Sequence, residues 1–182
     1  SSPMTTETVS LGRRLRALVD TSVPPPGPGE AEGVEWGRFV PFVALHAACL
    51  LVFVVGVSWI AIGVAVGLYI VRMFAITAFY HRYFSHRAFK TSRVMQFLMA
   101  FVGCCSVQRG PLWWAAHHRN HHRVSDQPGD VHSPRQVGFW WSHMGWFVAR
   151  ENYLTRHELV PDLGRYPELR LIDRFDILPP IV

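Results

Sequence analysis

Ten histidines occur in 182 residues, and most of them fall in two groups. The first is His81-Arg82-Tyr83-Phe84-Ser85-His86, and the second is His117-His118-Arg119-Asn120-His121-His122. Imidazoles crowded together repel when protonated and lose hydration when buried, and a metal ion removes both costs by taking their lone pairs. The spacing of His118, His121 and His122 is i, i+3, i+4, which sets three rings on one helical face within a turn. His81 and His86 are five apart, about 140° around a regular helix, so they flank one site only if the helix frays there or if they serve different ions. The expected metal ligands are therefore His81, His86, His118, His121 and His122. His117 lies at a neighbouring angle, and the isolated His46, His132, His143 and His157 read as ordinary polar residues. Imidazole-rich sites suit Fe, Zn, Cu or Ni, and spacing alone does not choose among them. The lack of an intramembrane Cys or carboxylate partner argues against a thiolate zinc site and against a Glu-rich soluble di-iron bundle. The adjacent Arg82, Arg87, Arg119 and Arg123 read equally well as solvated charge or as groups behind the ligands.

These groups need elements to position them. From Phe39 to Tyr80 the only charged side chain is Arg72, and that stretch is about twice the 20 residues one membrane crossing needs. Two helices near 39–55 and 59–80, turning at Gly56-Val57-Ser58, make a transmembrane hairpin whose backbone is satisfied internally. Arg13, Arg14, Arg16 and Arg38 precede the hairpin, and Arg82, Arg87, Lys90 and Arg93 follow it. The turn between carries no charge. Positive charge on one side predicts that both chain ends, and both histidine groups, face the cytoplasm. Hydrophobic content of 49% and mean hydropathy of +0.14 agree with a bilayer environment. A net charge of +5 spread along membrane-flanking segments suits a membrane surface or an anionic head group rather than nucleic acid.

The remaining chain reads as short elements around the hairpin. Residues 1–36, with Pro24-Pro25-Pro26-Gly27-Pro28-Gly29, suit a disordered tail, and no cleavable signal sequence is expected. Residues 37–182 form the second unit. The apolar run between Ser92 and Ser106 is too short to span and should lie in the interface or under the histidine region. Gly110-Pro111 opens a helix that carries Trp113, Trp114 and the second histidine group, and Ser125 to Asp130 ends it. Gly138 to Ala149 is a short aromatic helix, residues 150–173 are polar and irregular, and Ile177 to Val182 resembles the start of another membrane segment. Cys49, Cys104 and Cys105 are expected as buried reduced thiols. Trp113, Trp114, Trp140 and Trp141 suit a wall or belt, with packing as their first role. The fold class is an all-α membrane protein.

The pattern His-x4-His after a membrane hairpin, then His-x2-His-His inside WWAAHHRNHHRVSD, followed by GDVHSP and GFWWSHMGW, resembles the integral-membrane fatty acid desaturases. The resemblance is closest to the bacterial acyl-CoA (stearoyl-CoA, delta-9) branch and covers residues 39–182, the family's N-terminal half. It implies a di-iron, O2-dependent enzyme that places a cis double bond in a long-chain fatty acyl substrate, with acyl-CoA as the carrier. His81 and His86 then match the first iron-binding box, and His118, His121 and His122 the second. Electrons would come from a ferredoxin, rubredoxin or cytochrome b5, since no flavin or nicotinamide fingerprint is present. The family's third box has no counterpart after His157, so residues 1–182 alone are expected to lack turnover and to hold iron weakly. A histidine-box membrane hydroxylase and a non-catalytic truncated homologue are the alternatives.

Overall fold

A computed structural model describes residues 11–23 and 33–182. Among the described residues, two helices are long and apolar enough to cross a membrane, and we label them α2 (Trp36–Val55) and α3 (Trp59–Ser85). Between them Gly56 takes φ +75, a left-handed conformation that a side chain would oppose. Ser58 then caps α3, its hydroxyl accepting from the Ala61 N–H at 3.1 Å, as expected of an N-cap serine. The hairpin predicted at 39–55 and 59–80 thus exists, with α3 continuing five residues beyond Tyr80. At 1.5 Å per residue the 27 residues of α3 are roughly 40 Å long, more than the ~30 Å hydrocarbon core. That length leaves room for the last turns, which carry His81, to extend past it. Val54, Val55, Trp59 and Ile60 are each about 80% exposed, a surface suited to lipid.

Four further helices of eight residues or more are α1 (Leu11–Val19), α4 (Arg93–Cys104), α5 (Pro111–Val124) and α6 (Pro167–Arg174), with shorter helical segments between the last two. On α4, Gln96, Met99, Ala100, Gly103 and Cys104 are buried, the i, i+3, i+4, i+7, i+8 stripe of a one-sided helix. That stripe packs on Tyr80, Tyr83 and Phe84 of α3 and on Leu112, Ala115 and Ala116 of α5. The helix is therefore a floor beneath the histidine region. Gly103 permits this approach, because a Cβ there would overlap the Tyr80 ring.

The N-terminus of α5 is capped from a distance. Gly110 has no side chain to offer, and Asp173 of α6 supplies the acceptor, its Oδ1 taking the N–H groups of Leu112 at 2.9 Å and Trp113 at 2.8 Å. These are two of the donors a helix start leaves unpaired. Thr155 donates its hydroxyl to the other carboxylate oxygen at 2.6 Å.

Three expectations need correction. Residues 150–173 are not irregular: short helical turns at His157–Leu159 and Pro161–Gly164 lead into α6. Pro161 and Pro167 each open a helix at its first turn, where a missing N–H costs nothing. Val160, Leu163, Leu169 and Ile172 from this stretch are in the core, each contributing about 1.5–3 kcal/mol by burial. The region expected as a disordered tail contains α1, anchored to the C-terminal part: Thr21 donates to the Asp173 carbonyl at 2.9 Å, Tyr153 donates to the Ala17 carbonyl at 2.7 Å, and Asp20 pairs with Arg174 at 2.6 Å. Residues 1–10 and 24–32 of that region lie outside the described residues. Cys104 is buried, but Cys49 is exposed on α2, because the side chains around it face outward. The helix expected at 138–149 is present, and residues 175–181 form turns.

Candidate metal centre

The end of α3 departs from regular α-helix in the segment that holds the first histidine group. Ala75–Ser85 is π-helical, with hydrogen bonds from residue i+5 to residue i. The sequence continues that pattern into the site: the His86 N–H donates to the His81 carbonyl at 3.1 Å. Residues five apart, divergent on an α-helix, now lie one above the other, and the two rings are 4.6 Å apart. Fraying at this point, or separate ions for the two residues, is not needed.

Helix α5 supplies the partners. The His118 ring is 4.7 Å from His81 and 5.0 Å from His86, while His122 lies 4.8 Å from His86 and 4.6 Å from His118. One nitrogen from each of His81, His86, His118 and His122 falls within 4.8 Å of the others, a group that can hold a metal ion. The closest pair, Nε2 of His86 and Nε2 of His118, is 3.0 Å apart. Two imidazoles bound to one ion at about 2.1 Å are separated by roughly 3.0–3.4 Å at cis or tetrahedral angles and about 4.2 Å when trans. Four nitrogens within 4.8 Å fit one ion after an inward adjustment of a few tenths of an ångström.

Burial lowers the pKa of His118 to about 3, reinforced by the crowding of His81, His122, His86 and His121. Burial also lowers His86, with His81 and His122 adding to the shift. Unprotonated imidazole is the form that ligates metal. Trp114 stacks on the His118 ring at 4.9 Å and 17°, and fixes its plane.

His121, the fifth expected ligand, is not in the four-nitrogen group. Its Nδ1 is 2.9 Å from Oδ1 of Asp130, and its ring lies 5.0 Å from His132. Asp130 is 1% exposed and also accepts the N–H groups of Asp126 and His132, both at 2.9 Å. With Nδ1 committed to the carboxylate, Nε2 is the nitrogen left for a ligand, the arrangement in which carboxylates orient metal-binding histidines. Burial raises the Asp130 carboxyl, but hydrogen bonds from His121 and the two amides outweigh it, so the net shift is downward. A carboxylate nine residues after His121, in SDQPGD, is the signal the sequence offered for this pair.

The other histidines divide. His117 is buried against Trp113 at 4.3 Å and Trp146 at 5.4 Å, with its Nε2 unpartnered. His132 packs on Trp146 at 4.3 Å, closer to the site than an ordinary polar role implies. His46 sits on α2, its Nδ1 2.7 Å from the Phe42 carbonyl, His143 stacks on Phe139, and His157 is exposed. Of the tryptophans, Trp113 is buried and donates to the Asn152 carbonyl at 2.8 Å, whereas Trp140 is 75% exposed.

The fatty acid desaturase family profile matches residues 38–179, most of the chain and both histidine groups. The chain belongs to the fatty acid desaturase family. Among its relatives, a delta-9 acyl-lipid desaturase of Arabidopsis thaliana is 38% identical over 180 residues, 94% of this chain and 54% of that protein. An acyl-CoA 5-desaturase of Anemone leveillei is 36% identical over 137 residues, 71% of this chain and 41% of that protein. A hex-5-enoyl-[acyl-carrier protein] acetylenase of Moorena producens is 36% identical over 141 residues, 71% of this chain and 42% of that protein. The chain spans about half the length of the curated relatives it matches. The chain carries its histidine groups at and just beyond the end of two long apolar helices, in agreement with the all-α reading.

Proposed function

We propose that the protein containing this chain is a di-iron, O2-dependent desaturase that converts a long-chain fatty acyl substrate to its cis-unsaturated product. The observation that carries this reading is the convergence of four imidazoles from two separate helices at the end of an apolar hairpin, within the desaturase family. The first iron would be held by His81, His86, His118 and His122. A second would use His121, oriented by Asp130, together with ligands from elsewhere in the protein. When bound, iron supplies the O2-dependent removal of two hydrogens from adjacent methylenes.

This chain's residues contribute holding and orientation. The π-helical end of α3 aims His81 and His86 the same way, α5 opposes them with His118 and His122, and Trp114 covers one side of the His118 ring. The lowered basicity of His118 and His86 keeps their lone pairs available at neutral pH. The proposed location is a bacterial inner membrane with both histidine groups on its cytoplasmic side, a reading supported by the apolar hairpin and by the positive charge that flanks it.

Acyl-CoA is the proposed carrier, as the name of the Anemone relative indicates for that protein; the Arabidopsis and Moorena names point to a lipid and an acyl-carrier protein for theirs. The proposed electron donor is a ferredoxin, a rubredoxin or cytochrome b5. The test is turnover by the whole protein in nanodiscs with iron, O2, a reducing system and stearoyl-CoA or a stearoyl lipid. An alkene from the CoA substrate supports the full reading, and an alkene only from the lipid overturns the carrier. A secondary alcohol as product contradicts desaturation.

A further inference from the structure

Arg119 follows His118 directly, and its side chain reaches back to the end of α3. Nε donates to the Ser85 carbonyl at 3.1 Å, and Nη2 donates to the Phe84 carbonyl at 2.9 Å. Nη1 donates to the Leu159 carbonyl at 3.2 Å. The same guanidinium grips Asp162 through Nη1 at 2.7 Å and Nη2 at 3.0 Å. Its side chain is 24% exposed, so this fork is not a solvated surface charge. Phe84 and Ser85 lie at the C-terminal end of α3, where carbonyls lack helical partners. One side chain therefore ties the residue before His86 to the residue after His118, and those two imidazoles are 3.0 Å apart.

We propose that Arg119, held in place by Asp162, is a positioning residue that sets the separation of the two histidine helices and so the geometry of the metal centre. The inference rests on the metal-centre reading. Three features support a specific role over generic packing. The contacts need a planar fork with several donors, which lysine does not provide. The anchor, Asp162, comes from a third element forty-three residues away, and Arg87, the residue after His86, also reaches its carboxylate, at 3.6 Å. The tied carbonyls belong to the π-helical segment, whose backbone sets the ring positions.

The test uses cobalt(II), whose visible spectrum reports coordination geometry, with the full protein and its Arg119→Lys and Asp162→Asn variants. Dissociation constants and spectra are measured beside metal-free thermal unfolding. Arg119→Lys should weaken cobalt binding about 10–100-fold, the usual effect of removing a partner behind the ligands, and alter the spectrum, while the metal-free protein stays folded. Asp162→Asn should change both in the same direction by less, since the carbonyl contacts of Arg119 remain. If Arg119→Lys does not fold, Asp162→Asn carries the test alone. Unchanged affinity and spectrum in the folded variants overturn the positioning role. Wild-type protein that binds no cobalt overturns the metal-centre reading instead.

Discussion

Nε2 of His86 and Nε2 of His118 lie 3.0 Å apart although they come from different helices and are 32 residues apart in sequence. Two neutral imidazoles facing nitrogen to nitrogen either share one proton or share a cation, and with His81 and His122 beside them a cation satisfies all four. His86→Ala and His118→Ala should each lower affinity for iron(II) or cobalt(II) by tenfold or more, because each removes a nitrogen from one shared site. His121→Ala should leave binding at the four-imidazole site within a few fold. Metal titration of the purified variants checks the ranking, and equal losses for His121 and His118 would merge them into one site.

The cap that Asp173 provides to α5 gives a second prediction. A Cβ on Gly110 would overlap Asp173 at both Oδ1 and Cα, so Gly110→Ala should force the two apart and strand the Leu112 and Trp113 amides. The expected loss is about 1–3 kcal/mol, the cost of buried donors without partners. Asp173→Ala should cost a similar amount. Chemical unfolding in detergent measures both, and a wild-type midpoint for Gly110→Ala would show that α5 starts without the cap.

How far the sequence anticipated this arrangement depends on the range over which each feature is encoded. The hairpin was legible because an uncharged run interrupted by Gly56 and Ser58 is a local pattern. The i, i+3, i+4 set on α5 was equally local, and His118 and His122 do meet. His81 and His86 were ambiguous, since a π-helix leaves no mark in hydrophobic periodicity, and a five-residue spacing looks divergent until the backbone widens. Asp162, Asp173 and the anchoring of α1 depend on contacts more than forty residues apart in sequence, which no local spacing records. Pro161 and Pro167 did carry a local signal of helix starts, hidden by the polar residues around them.

The anchor of α1 should titrate in acid. The hydrogen-bonded Arg174 guanidinium holds the Asp20 carboxyl at about 2, with Ser22 helping and burial opposing. A carboxyl with a depressed folded pKa stabilises the fold above its unfolded value, near 4, and that contribution fades as pH falls towards 2. Carbon-13 NMR of the Asp20 carboxyl should give a midpoint near 2, moving towards 4 in Arg174→Ala. A midpoint near 4 in the unsubstituted protein would remove the ion pair from the anchor.

Charge placement about the hairpin predicts its direction. In a background without native cysteines, Val57→Cys at the turn should react with an impermeant maleimide in intact cells, whereas Glu158→Cys should react only after permeabilisation. Reversed labelling would place the histidine groups on the outer face.

The central claim is that these imidazoles assemble a centre for fatty acyl desaturation, and the most direct measurement is the fatty-acid profile of cells expressing the reading frame that contains this chain. Gas chromatography with mass spectrometry should reveal new cis-monounsaturated fatty acids with the wild-type sequence and none with His118→Ala at equal protein level. Equal amounts of the same alkene from both would contradict the claim, because His118 touches every other member of the four-imidazole group.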